Sequence, residues 1–346
     1  MSEKIVTLPG DGIGPEIMQP TLEVLNAVTD ELEFDEHLIG GASIDEYGVP
    51  LTDQTLEACR NASAVLLGAV GGPKWDSLND PEDPSPSPEQ GLLGLRKGMG
   101  LFANIRPIKP FPAFYNASPI KKSRLKGTEF IIVRELTGGI YFGEKTRTKD
   151  KATDLCEYTR AEIEDVAHIA FFMAEESKKK VTSVDKANVL ETSKLWREVV
   201  MEVGKEYDVP LEHLLVDNAV MQMISHPAEL DIVLTENMFG DILSDAGATL
   251  TGSIGLLPSY SMNWLRPELY EPVHGSAPDI AGEGIANPMA MINAAALMLK
   301  RLSMGDEALK IKRALGKVID KDKVYTRDLG GTATTKEVTQ AILKHL

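Results

Sequence analysis

Short apolar runs alternate along the chain with longer stretches in which apolar residues recur every third or fourth position. KIVTL (4–8), SAVLLGAV (63–70), EFIIVREL (129–136), KVTSVDKA (180–187), EHLLVDNA (212–219) and LDIVLTE (230–236) are short and rich in β-branched residues, and predict strands. The clearest helix is RAEIEDVAHIAFFMAEESKKK (160–180), where Ile163, Val166, Ala167, Ala170, Phe171 and Ala174 share one face. Its closing lysines, Lys178 to Lys180, suit the negative end of a helix dipole and read as a solvated helix end. Alternating strands and helices predict an α/β chain built from βα units. DPEDPSPSPEQ (80–90) holds four prolines in eleven residues and must be extended or irregular. Helix-forming sequence resumes at once in GLLGLRKGMG, which favours a surface loop over an interdomain linker.

LPGDGIGPEI (8–17) leaves the first strand run for a helical pattern, as a dinucleotide-binding turn would. In G-x-G-x-x-G the third glycine lets the helix pack close to its strand. Here Gly10 and Gly12 fit, but the third glycine comes one residue early at Gly14 and Pro15 stands in its place. Proline suits the start of a helix. The segment is a good strand-to-helix turn and a poor pyrophosphate cradle.

The 346 residues, 43% hydrophobic and 25% charged, suffice for two domains with real cores in an ordinary soluble protein. MSEKIVTLPG enters a strand without room for a signal sequence. The weakly polar MAMINAAALML (289–299) falls short of the ~17–25 residues of a membrane span. A cytoplasmic location is expected. Cys59 and Cys156 form no CxxC pair and read as reduced thiols. A net charge of −16 disfavours nucleic acid and anionic membranes as partners, so an anionic substrate needs a local cluster of cations.

Arg96 in LLGLRKG, Arg106 in FANIRP and Arg134 in FIIVRELTGG are candidates for that cluster. Arg134 ends a strongly apolar strand, where an unpaired charge is costly. Guanidinium forks match carboxylates, so the three could receive a small polycarboxylate, although structural salt bridges explain each singly. In NMFGDILSDAGATL (237–250), Asp241 and Asp245 are four apart; on a helix beginning near Asp241 both carboxylates share one face. A hard cation such as Mg²⁺ or Mn²⁺ would relieve their repulsion, but an N-cap and a surface residue fit the spacing equally. Asp217 in LLVDNAVM, at the end of an apolar strand, is the natural third ligand. Lys186 in SVDKANV and Tyr141 in TGGIYFG are candidate proton-transfer groups, though solvated lysines and packing tyrosines are the common case. YEPVHGSAPDIAGEGIANP (270–288) breaks its backbone with glycine, serine and proline and carries His274 and Asp279. A carboxylate at Asp279 suits a ribose diol and repels a 2′-phosphate, which favours NAD over NADP.

Taken together, these segments resemble the decarboxylating β-hydroxyacid dehydrogenases, the isocitrate/isopropylmalate dehydrogenase family. The resemblance runs through GDGIGPEI, GGPKW, LLGLRK, NIRP, VRELTGGIYFG, DKANVL, DNAVMQ, FGDILSD, GSIGLLPS and EPVHGSAPDIAGEGIANP in order. It implies a two-domain open α/β sandwich that is not a true Rossmann fold. Residues 1–101 plus 254–346 would form the cofactor-binding domain, and 102–253 the domain for dimerisation, metal and substrate.

The resemblance further implies a homodimer with shared active sites and an exchanged arm in EKTRTKDKATDLCEY (144–158). Lys186 and Asp217 would then serve the partner's site. The implied chemistry is NAD-dependent oxidation and decarboxylation of a small dicarboxylate. Asp217, Asp241 and Asp245 would hold Mg²⁺ or Mn²⁺, Lys186 would be the base and Tyr141 the acid. Arg96, Arg106 and Arg134 would hold the departing carboxylate, with Asp217 also at the substrate. Glu89, Leu92 and Leu93 in EQGLLGLR would face the C3 substituent, and the leucines suit the isopropyl group of 3-isopropylmalate, a leucine precursor. By the same resemblance the cofactor would be met by Ile13, by Gly72, Pro73, Lys74 and Trp75, and by Glu271, His274, Gly275, Ser276, Ala277, Pro278, Asp279, Ile280 and Asn287. Homoisocitrate, isocitrate or tartrate as substrate, and a catalytically silent regulatory subunit, are the rival readings. Pro20, inside the first helix, is expected to kink it or delay its start.

Overall fold

A computed structural model describes residues 2–75, 86–265 and 267–346, so residues 80–85 of the proline-rich stretch lie outside the described residues. The chain divides into two compact units, Met1–Gly100 with Ser253–Leu346, and Leu101–Gly252.

The first unit begins with β1 (Glu3–Gly10), α1 (Gly14–Val28), β2 (Leu32–Glu36), α2 (Gly41–Tyr47), α3 (Asp53–Arg60), β3 (Ala64–Ala69) and α4 (Pro88–Gly98). In the second unit follow β4 (Ala103–Ile108), α5 (Lys122–Leu125), β5 (Phe130–Glu135), β6 (Lys145–Arg147), β7 (Ala152–Asp154), α6 (Arg160–Ser177) and β8 (Val181–Asp185). It continues through α7 (Glu191–Val203), β9 (Leu211–Leu215), α8 (Val216–Ser225), β10 (Ile232–Thr235) and α9 (Asn237–Thr251). The chain then returns to the first unit with β11 (Pro258–Met262), β12 (Leu269–Pro272), α10 (Met289–Arg301), α11 (Gly305–Lys317) and α12 (Thr335–Leu343).

In the first unit the strand order is β2-β1-β3-β12-β11. The pairs are parallel except β11 with β12, so this is a mixed sheet rather than the all-parallel 3-2-1-4-5-6 order of a Rossmann domain. β1 lies between β2 and β3, which is why Ile5, Val6 and Leu8 are all fully buried. The weakly polar 289–299 segment is α10, buried on nearly every side against β11, β12, α1 and α11. Among the described residues no helix is long and apolar enough to cross a membrane. α1 runs unbroken through Pro20: the bond that proline forfeits is to the carbonyl of Glu16, in the first turn.

The second unit orders its strands β4-β5-β10-β8-β9, parallel except for β4 with β5. α6 packs on β5 and β10, and α9 on β4 and β5. A capping box starts α6, with Thr159 and Glu162 each bonding the other's backbone N–H. Lys178, at φ 55°, ends it, so Lys179 and Lys180 lie beyond the helix. The run 212–219 departs from the strand expected of it: β9 stops at Leu215, and Asp217 sits in the first turn of α8, where the helix dipole favours a carboxylate. β6 and β7 pair as an antiparallel hairpin whose residues are all exposed.

Candidate active site and nucleotide pocket

The opening loop is shaped by backbone packing. Gly10 and Gly12 have φ of 71° and 57°, and a Cβ on Gly12 would stand 2.1 Å from the Ser276 carbonyl oxygen. Ile13 N–H donates to that same carbonyl at 2.8 Å. The buried Asp11 carboxylate accepts from Gly41 N, Ala42 N and Gly71 N at 2.8 to 2.9 Å, tying the loop to the start of α2 and to the GGPKW segment. Glu16 accepts from Ala286 N at 2.8 Å and from the Thr335 hydroxyl at 2.7 Å. The loop and α1 thus brace residues 276–286 from beneath.

Above that brace lies a cavity of about 730 Å³, lined by Ile13, Ser253, Ile254, Gly255, His274, Gly275, Ala277, Asp279, Ile280, Ile285, Ala286, Asn287, Arg327 and Asp328. Its size falls within the roughly 300–1,000 Å³ of small-molecule sites. Ala277 holds φ 39°, a costly conformation for a residue with a Cβ. His274 Nδ1 donates to the Gly275 carbonyl at 2.9 Å, while its buried Nε2 has no partner among the described residues. Burial pulls the His274 pKa below its ordinary 6.5, which favours the neutral ring. Asn287 Nδ2 donates to Asp328 at 3.0 Å and Asn287 Oδ1 accepts from Met289 N at 3.0 Å, so the amide is fixed in one orientation. An unpartnered imidazole nitrogen, an exposed Asp279 and apolar Ile13 and Ile280 fit the adenosine half of a dinucleotide.

Of the residues expected to meet the cofactor, Ile13, His274, Gly275, Ala277, Asp279, Ile280 and Asn287 line the cavity. Ser276 supports it from behind, and Pro278 is exposed beside it. The structure does not bring Gly72, Pro73, Lys74 and Trp75 to the cavity wall. There Lys74 Nζ and Trp75 Nε1 both hold Asp45 of α2, at 2.5 and 3.0 Å, and the Trp75 ring lies against Gly41 and Gly72. Glu271 instead accepts from Arg96 at 2.7 Å, both buried, leaving Arg96 Nε buried with no partner among the described residues. α4 carries Arg96 with Glu89, Leu92 and Leu93; the two leucines are half-buried while Leu95 fills the core. The Glu89 carboxylate lies 2.8 Å from where a Gly71 Cβ would stand.

The second unit gathers charge on β4, β5 and α9. Glu236, and not Asp241, caps α9 by accepting from Phe239 N at 2.6 Å, so the helix starts a turn earlier than its aspartates suggest. Asp241 and Asp245 therefore lie one turn apart within it. Asp241 accepts from Arg134 and, at 3.1 Å, from the Tyr141 hydroxyl; Arg106 reaches it at 3.7 Å. The buried Arg106 also donates to Asn104 at 2.6 Å and to Ser244, and Arg134 donates twice to Asn237 Oδ1, at 2.8 and 3.1 Å. The Arg134 guanidinium lies 5.8 Å over the Tyr141 ring. Burial, and then the Asp241 charge, raise the Tyr141 pKa and keep its phenol protonated. Burial also raises the Asp245 carboxyl, with Asp241 adding to the rise while Arg106 and Arg134 oppose it. A carboxylate held up by burial and by a like charge one turn away suits a hard divalent cation, which would relieve it.

Lys186 Nζ and Asp217 Oδ1 form a partly exposed ion pair of 2.5 Å, which holds the Asp217 carboxyl below its ordinary range. Among the described residues of one chain, no three His, Cys, Asp or Glu side chains are placed to hold a metal ion. The sequence did not single out Asn237, Ser244 and Asp328, which bond Arg134, Arg106 and Asn287, or Asp11 and Glu16, which hold backbone N–H groups of neighbouring segments. Asp11 between two glycines and Asp328 before the Gly330–Gly331 turn were the available signals.

The family described as isocitrate/isopropylmalate dehydrogenase matches residues 4–342. Proteins named 3-isopropylmalate dehydrogenase from Staphylococcus haemolyticus and Bacillus subtilis are each 52% identical; the alignments cover 100% of both chains in the first case, and 99% of this chain and 98% of the relative in the second. Among solved structures, an isocitrate dehydrogenase from Methylococcus capsulatus superposes with TM-score 0.88 at 34% identity, covering 99% of each chain. A β-decarboxylating dehydrogenase from Thermococcus kodakarensis gives 0.82 at 36%, covering 100% of this chain and 96% of its own. On its sequence and its fold alike, this chain belongs to the isocitrate/isopropylmalate dehydrogenase family.

Proposed function

We propose that the protein oxidises and decarboxylates (2R,3S)-3-isopropylmalate with NAD⁺, giving 4-methyl-2-oxopentanoate, CO₂ and NADH in leucine biosynthesis. The observation that carries this reading is Asp241, one turn before Asp245, joined to Arg134 and to the protonated Tyr141. A divalent cation on Asp241 and Asp245 would supply a Lewis acid at the substrate's hydroxyl and carboxylate oxygens, and NAD⁺ in the first unit's cavity would accept the hydride. Arg106 and Arg134 hold the carboxylate that departs, and the same role is proposed for Arg96. The partner subunit's Lys186 takes the hydroxyl proton, and the partner subunit's Asp217 adds a carboxylate to the metal site. After CO₂ leaves, Tyr141 protonates the enol carbon from its phenol.

The need for a partner is supported by the Lys186–Asp217 pair facing solvent and by the exposed β6–β7 hairpin, since a two-stranded ribbon alone is marginal in water. Leu92 and Leu93, half-buried and outside the core, support an isopropyl group over a third carboxylate. Asp279 supports NAD⁺ over NADP⁺. Two free cysteines suit a reducing cytoplasm.

The test is a substrate panel with Mg²⁺ and NAD⁺, followed by NADH absorbance. 3-Isopropylmalate should be preferred. A clear preference for isocitrate or homoisocitrate would reassign the substrate, and binding without turnover would make the chain a silent subunit.

A further inference from the structure

A buried network behind Tyr141 takes no part in the chemistry described above. Glu135, at the end of β5, is fully buried and accepts from Thr137 N at 2.5 Å, the Thr137 hydroxyl at 2.9 Å and Gly138 N at 3.0 Å. It therefore fixes the turn that leads into Gly139–Tyr141. Glu236 caps α9, the helix that carries Asp241 and Asp245. Between these two carboxylates lies Tyr158. Its hydroxyl donates to Glu236 at 3.3 Å and accepts from Asn237 N at 3.0 Å. Its side chain fills the space over Gly138 and Gly139, where an added Cβ would stand 2.7 Å from the ring at Gly138 and 2.4 Å from the hydroxyl oxygen at Gly139. The Trp196 ring packs edge-on against its other side, with centroids 5.7 Å apart. Asn237 closes the circuit, donating to the Gly138 carbonyl at 3.1 Å and accepting from Arg134.

We infer that Tyr158 is a positioning residue: through its hydroxyl and ring it locks the Gly138–Gly139 turn onto the start of α9, and so sets Tyr141 against Asp241. The inference rests on the reading of Tyr141 as the acid. Burial raises the pKa values of Glu135, Glu236 and Tyr158, so the tyrosine retains the proton with which it bonds Glu236. A tyrosine needed only to fill space would leave its hydroxyl dispensable; here the hydroxyl spans a capping carboxylate and a helix N-terminus in one contact.

Tyr158→Phe keeps the ring and removes the hydroxyl. Three results are expected. Amide hydrogen exchange across residues 137–142 should be about tenfold faster in the cofactor-free protein. The kcat should fall about tenfold with KM for NAD⁺ unchanged. Added to Tyr141→Phe, the substitution should cost less than about twofold more, because what it positions is already gone. Unchanged exchange, or losses that multiply in the double variant, would overturn the proposal. Should Tyr158→Phe not accumulate as folded protein, Glu236→Ala removes the acceptor from the other end and is held to the same exchange and double-variant criteria. Tyr141→Phe alone separates the two readings. If it is fully active, the role given to Tyr141 fails, while the exchange result still judges Tyr158. If it is crippled and Tyr158→Phe is not, only the positioning role fails.

Discussion

The loop at 274–287 in the first unit and the α9 face in the second hold their groups by different physics. The loop is made of backbone: Ser276 carbonyl receiving Ile13 N–H, Ala277 at positive φ, and Gly284 and Ala286 N–H groups pinned by Glu16. Its few side-chain functions face a cavity. The α9 face is made of side-chain charge on regular elements, with Arg106 and Arg134 buried against Asp241 and Asp245 left to feel them only as charges. A backbone-built pocket gains shape and accepts an uncharged ribose and base. A charge-built site leaves one carboxylate, Asp245, without a hydrogen bond or ion pair among the described residues, and a cationic ligand would complete it. Loss of one group should therefore cost far more in the second unit than in the first.

Asp245→Asn is the strongest way to break that contrast. Asp241 also neutralises Arg134, so replacing it confounds metal loss with an uncompensated buried charge; Asp245 carries no such bond. The kcat should fall by at least about 10²-fold, with NAD⁺ affinity by fluorescence titration unaltered. Chelation with EDTA should abolish turnover of the unmodified protein and Mn²⁺ should restore it; full activity in EDTA after dialysis would remove the metal from the mechanism. Next in size, Tyr141→Phe should cost about 10²- to 10⁴-fold in overall turnover. A primary deuterium isotope effect on hydride transfer should shrink in this variant as protonation becomes limiting; a larger isotope effect would assign Tyr141 to the wrong step.

The same contrast explains what could be read from the chain. Asp241 and Asp245 betrayed themselves by spacing, since i,i+4 carboxylates share a helix face wherever the helix starts, and its actual start at Asn237 altered nothing in that. Arg134 was legible because a charge ending an apolar strand requires a partner. That partner, Asn237 with Asp241, lies more than a hundred residues on and has no local signal. Asp217 reads as the end of a strand because LLVD continues an apolar run, but β9 stops at Leu215 and α8 begins at Val216. The first unit's cavity was harder still. It draws on residues 13, 253–255, 274–287 and 327–328, segments far apart in the sequence whose meeting no local pattern announces. Arg327 and Asp328 enter through a loop closure that no sequence window spans.

Effects in the first unit should be smaller. Asp279→Ala removes a charged hydrogen-bond acceptor from the ribose and should lower kcat/KM for NAD⁺ about 10- to 100-fold, narrowing the preference over NADP⁺. Equal kcat/KM for the two cofactors in the unmodified protein would refute the role of Asp279. Leu92→Ala should weaken discrimination for the isopropyl group by ~1–3 kcal/mol, read as the ratio of kcat/KM for isopropylmalate and malate.

The smallest effect concerns pH, and each unit offers one histidine. Burial lowers the pKa of His274 in the first unit; in the second, burial and then the Arg197 charge lower that of His213, against the opposing pull of Asp185. In both, the unfolded chain binds the proton more readily than the folded one. Their contributions to stability are thus fully present above the ordinary 6.5 and are lost as pH falls through the depressed folded values. The cofactor-free protein should therefore lose Tm between pH 7 and pH 5 (about the span over which histidine titrates). His274→Gln and His213→Gln should each make that acid limb shallower, and their effects should add, because the two rings share no partner. Only the His274 contribution should respond to saturating NAD⁺, since the cofactor proposed for the first unit's cavity would cover that ring and not the one beside Asp185. An acid limb unchanged in His274→Gln, or equally sensitive to NAD⁺ at both histidines, would remove His274 from the cofactor pocket and erase the difference between the two units on this measure.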